Sequence, residues 1–258
     1  MNSKMDLPNH PPVATSAGEC LPSQPARKFV TILLPLVLCV LPVVRAQEAK
    51  APYPAMAPID QYLMADRSAE IALAKSSAPD AISRDATVLV LGKAGYEAAI
   101  EGKNGFTCLV ERSWMCPFDN PDFWNPKLRG PVCYNAAAVR SILPYTLNRT
   151  KLVLSGVSKA QLHESIVAAV AKGELPVPEV GAMSYMMAKD QYLGDSGGHW
   201  HPHLMFHIPK IDGATWGANL PGSPIVYDDE HTDIPEPEIV FLVPVGKWSD
   251  GTPAHKEM

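Results

Sequence analysis

Hydrophobic and polar positions divide the chain into stretches of different period. Residues 29–44, FVTILLPLVLCVLPVV, form an apolar run without a charge. Across 60–76, Leu63, Met64, Ile71 and Leu73 recur among charges and alanines, a helical pattern that Ala78-Pro79 ends. The period then shortens. Residues 86–91, 96–100 and 106–112 are β-type runs, broken by Gly92-Lys93-Ala94-Gly95 and by Gly102-Lys103-Asn104-Gly105. Asn-Gly is a strong hairpin signal, so these runs predict an antiparallel meander. The Pro/Trp/Asn-rich segment 117–132 predicts an ordered loop. A short helix is expected over 136–142 with Asn135 as its cap. A longer one is expected over 159–172, where Ser158 and Gln161 have capping-box spacing and Leu162, Ile166, Val167 and Val170 make one stripe that Gly173 stops. Further strands are expected over 182–188, 203–208 and 239–245. No internal repeat and no βαβ alternation is present. The pattern predicts an α+β fold, a mainly antiparallel sheet of the hairpin-meander kind with a few helices and long Pro-rich loops.

The N-terminal run carries a targeting reading. Arg27-Lys28 precede it and Val44-Arg45-Ala46-Gln47 follow it, with small residues at −3 and −1, which matches a secretory signal over 1–46 cleaved between Ala46 and Gln47. The run falls short of the ~20 residues a membrane helix needs, and Pro35 and Pro42 interrupt it, so cleavage is favoured over an uncleaved N-terminal anchor. Residues 47–58 have the Pro/Ala composition of an extended linker with nothing to pack, and 59–258 suit a single domain. The exported product is expected in the periplasm or outside the cell. It retains 18 basic against 25 acidic residues, a net charge of −7, with no Lys/Arg cluster. That balance argues against nucleic acid, and after signal removal against a membrane. Pro is abundant, 26 of 258 residues, about twice the usual ~5%, which predicts many loops and rigid turns.

Removing the signal takes Cys20 and Cys39 and leaves Cys108, Cys116 and Cys133. Period-2 alternation sets Cys108 beside Phe106 and Val110 on one strand face, the setting of a buried inert thiol. Cys116 and Cys133 flank the aromatic loop, and a bridge between them would close it and add about 3 kcal/mol. Spacing alone does not show that the two sulfurs meet.

The one concentrated chemical signal is Gly198-His199-Trp200-His201-Pro202-His203-Leu204-Met205-Phe206-His207. In an extended segment His199, His201, His203 and His207 project to one face, where imidazoles can share Zn, Cu, Ni or Fe at about 2 Å. His201, His203 and His207 are the preferred set because they run into the apolar strand. Pro202 works against this, since a loop there loses the shared face. No neighbouring Ser or Cys carries a nucleophile motif, so no catalytic residue is assigned.

His201-Pro202-His203 with His207 resembles the first motif of cupins, although a His stands where that family has Glu and the second motif is missing. The phrases Asp85-Ala86-Thr87-Val88-Leu89-Val90, Asn104-Gly105-Phe106-Thr107-Cys108-Leu109-Val110 and Pro202-His203-Leu204-Met205-Phe206 together resemble a group of secreted bacterial proteins of unknown function, which implies export and a shared fold but no activity. Three functions follow in order of preference: a non-catalytic binding or envelope-associated module, a His-ligated metal enzyme, and a metal-binding protein without turnover.

Overall fold

A computed structural model describes residues 52–195 and 198–254. The signal, its Ala46/Gln47 junction and the first part of the linker lie outside the described residues. Residues 52–58 are not a free tether as expected. Tyr53 donates a 2.7 Å hydrogen bond to Asp195, and Met56 and Ala57 pack against the core.

Among the described residues seven strands form one sheet: β1 (Thr87–Gly92), β2 (Gly95–Ile100), β3 (Thr107–Glu111), β4 (Gly130–Tyr134), β5 (Met183–Met186), β6 (His203–Pro209) and β7 (Glu238–Pro244), in the order β2-β1-β3-β4-β5-β6-β7. All pairs are antiparallel except β1 with β3. The mainly antiparallel α+β class is therefore as the periodicity predicts, but the Asn104-Gly105 turn is not a β2–β3 hairpin. The chain crosses the start of β1 instead, where Lys103 N–H donates to the Asp85 carbonyl at 2.9 Å and Asn104 donates to the Ile82 carbonyl at 2.7 Å. The crossing is so close that a Cβ on Gly102 would sit 2.1 Å from the Thr87 nitrogen. Only glycine allows it.

Among the described residues five α-helices complete the fold: α1 (Arg67–Lys75), α2 (Asp80–Ser83), α3 (Ala136–Ser141), α4 (Leu143–Leu154) and α5 (Lys159–Ala171). Asn135 caps α3, and Ser158 and Gln161 form the full capping box of α5. Asp66 caps α1 through Ser68 N–H. Strand alternation sends Leu89, Leu91, Leu109, Val132, Tyr134, Met186 and Met205 to one face, against Tyr62, Trp114 and the buried residues of α3–α5. Val88, Cys108, Val110 and Cys133 go to the other face, against Ile71, Leu73 and Ala74 of α1. A buried pair fastens α1: Arg112 Nη2 lies 2.8 Å from Glu70 Oε1, which also accepts the Leu91 N–H.

The cysteine expectation is corrected on that second face. Cys108 and Cys133 stand directly opposite in the β3–β4 ladder, Cα atoms 3.9 Å apart, and are joined as a disulfide. Cys116 is unpaired. It packs with the core cluster on the opposite sheet face, so the sheet itself separates it from Cys133. Cys108 is thus a bridge partner and not an inert thiol.

Candidate functional site

β6 begins at His203, so the histidine run shares a strand face only from there. His199 and His201 precede the strand and are exposed. His203 is buried, with Nδ1 2.7 Å from the His201 carbonyl and its ring 4.6 Å from that of Trp200. Burial pushes its pKa down to about 4, against the hydrogen bond to the His201 backbone. His207 lies four residues on, about 13 Å along a strand, with Met205 between. The structure therefore does not gather the four histidines. Among the described residues, no group of three His, Cys, Asp or Glu side chains is placed to hold a metal ion.

What the sheet builds around His207 is different. Its Nε2 lies 2.9 Å from Ser184 Oγ of β5, and its Nδ1 lies 2.9 Å from Glu238 Oε2 of β7. Register explains the meeting. His207 faces Val240 and Pro209 faces Glu238 in the β6–β7 ladder, while Ser184 faces Met205 in the β5–β6 ladder. All three side chains therefore share one face. Ser184 has no other hydrogen-bond partner among the described residues. The geometry suits Ser184 donating to Nε2 and Nδ1–H donating to Glu238. The opposite assignment would bury the Ser184 hydroxyl proton with nothing to accept it.

The same face carries Glu111 of β3 and Tyr134 of β4. Tyr134 donates to Glu111 Oε1, which also accepts from Thr146 of α4 at 3.0 Å. Burial pushes the Glu111 carboxyl up, against those two bonds. The Tyr134 ring lies 6.0 Å from that of His207. Glu111, Tyr134, Ser184, His207 and Glu238 thus come to one face from five neighbouring strands.

Hydroxyl, imidazole and carboxylate in this order resemble the arrangement that activates a nucleophile. Access decides against that use. Ser184 is 0% exposed, which leaves no room for an acyl group at Oγ, and the end of the chain that meets open space is Glu238. Ser184 and His207 stand behind the Glu238 carboxylate, which is the most exposed end of the three.

Glu238 opens into a cavity of about 440 Å³. Its floor is β7, with Ile239, Val240 and Leu242. One side is Met115 and Pro117, another Lys210 and Ile211 after β6, and the cover is the 227–234 loop. Eight of the thirteen lining residues are apolar, the composition of small-molecule sites. The cover is firmly held. Val226 pairs with Leu242 through two backbone bonds of 2.9 and 2.7 Å, Asp119 accepts the Thr232 and Asp233 N–H groups, and Lys210 donates to the Ile234 carbonyl at 2.6 Å. Just beyond it, Glu236 meets Arg149 of α4 in a buried bidentate pair, both bonds 2.6 Å.

Ser184, Glu238, Glu111 and Tyr134 are not distinguishable by sequence reasoning. The available signal is a charged residue at the head of an apolar strand, Glu238-Ile239-Val240, and a His four residues into another. Among the described residues no helix is long and apolar enough to cross a membrane. No family model, curated protein or solved structure matches the chain.

Proposed function

We propose that this is an exported, non-catalytic binding protein whose ligand is a small, mainly apolar molecule held against β7. The observation that carries the reading is the cavity itself: about 440 Å³, within the usual range for ligand sites, with mostly apolar walls and one carboxylate held in place by buried partners. The sealed Ser184 supports binding over turnover. Export is supported by the N-terminal apolar run and its Ala46-Gln47 junction and by the Cys108–Cys133 disulfide, since such bridges persist in oxidising compartments.

Titration with a neutral naphthalene-type dye tests the binding reading. Saturable one-to-one fluorescence enhancement is expected, and Val240→Trp, which fills the cavity from its floor, abolishes it. No saturable binding, or binding unaffected by Val240→Trp, overturns the proposal.

A further inference from the structure

Resting on that binding reading, we infer that the ligand carries a protonated amine and that Glu238 receives it. The polar atoms of the cavity are mostly committed elsewhere. Asp228 Oδ1 accepts the Glu230 and His231 N–H groups, and its Oδ2 lies 3.2 Å from His231 Nδ1. Lys210 reaches the Ile234 carbonyl. Glu238 differs. Oε2 is taken by His207, while Oε1 has no hydrogen-bond partner among the described residues. Ser184 and His207 hold Glu238 from its Oε2 side only.

The Glu238 side chain keeps 12% exposure, so Oε1 is open to a donor, and a charged donor satisfies a carboxylate best. The ionic balance points the same way. With His231 counted neutral, two carboxylates, Asp228 and Glu238, stand against one ammonium, Lys210, so the lining is net negative and disfavours a ligand carboxylate. The ligand class is therefore an amine with a compact apolar body.

Competition of octylamine, octanol and octanoate against the bound dye tests this. Octylamine is expected to bind at least tenfold more tightly than octanol, octanoate more weakly than both, and Glu238→Gln to bring the amine-to-alcohol ratio close to one. Equal affinities in the unsubstituted protein, a preference for octanoate that Lys210→Met removes, or an amine preference that survives Glu238→Gln overturns the head-group assignment and leaves the binding reading standing. Absence of any dye binding removes both. The ratio in the unsubstituted protein decides the question even if the Gln variant does not fold.

Discussion

Glu236→Ala should be among the most damaging single substitutions in this protein. Arg149 and Glu236 are each 2% exposed in their side chains. The guanidinium gives Nε and Nη2 to the carboxylate at 2.6 Å, Nη1 to the Trp114 and Cys116 carbonyls at 2.9 and 2.8 Å, and stacks 4.8 Å from the Phe118 ring centre. Truncating Glu236 leaves that cation buried with only neutral acceptors, a change that costs about 3–5 kcal/mol. Against a total stability of about 5–15 kcal/mol this is a large share. With a urea dependence of about 2 kcal/mol/M, the unfolding midpoint should fall by roughly 2 M. The double replacement Arg149→Met with Glu236→Leu removes the charge as well as its partner, and should be within about 1 kcal/mol of the unsubstituted protein. Urea melts followed by tryptophan fluorescence measure both. A midpoint shift below about 0.5 M for Glu236→Ala, or a double variant no more stable than the single one, would refute the argument that an uncompensated buried charge dominates. Because Glu236 follows the cavity cover, the single variant should lose dye binding before it unfolds.

Peptide mapping without reduction should recover a Cys108–Cys133 link and leave Cys116 unlinked. Removing the bridge by Cys108→Ser with Cys133→Ser should cost about 3.5 kcal/mol by loop-closure entropy over the separation of 25 residues. Burial, with Asp122 next in effect, pushes the Cys116 thiol up to about 12, so alkylation in the native state should be slow at pH 8 and fast in urea; rapid native labelling would contradict this. His203 gives a pH signature. Its folded pKa of about 4 lies below the ordinary 6.5, so between those values the unfolded chain binds the extra proton and stability falls as pH falls. The full loss is about 3 kcal/mol. His203→Asn should flatten the dependence of melting temperature on pH between 6.5 and 4, and an unchanged slope would place the effect elsewhere.

Local signals survived folding wherever neighbours in sequence settle the structure. Ser158 and Gln161 cap α5 because the capping box is a contact between residues three apart, and Asn135 caps α3 for the same reason. The sheet class was legible because strand alternation is written locally. α4 escaped notice for a physical reason. Pro144 looks like a breaker but sits in the first turn, where proline is tolerated, and the buried side of the helix includes Thr146, Arg149 and Thr150, which blur an apolar stripe. β4 was obscured likewise by Gly130-Pro131, residues disfavoured in strands.

By itself the sequence determined the α+β class, two helix caps and most strand positions. Tertiary structure alone decided which distant residues meet. Cys133 lies 25 residues from Cys108 and only 17 from Cys116, yet strand register joins it to Cys108 and the sheet keeps Cys116 on the other face. His207 lies 23 residues from Ser184 and 31 from Glu238, and only the β5-β6-β7 order brings the three together. The histidine run was conspicuous because its members are adjacent, and adjacency is what a strand disperses: it buried His203 and His207 about 13 Å apart and left His199 and His201 outside. A site is a property of register, and register is set by pairing between strands that the sequence does not list side by side.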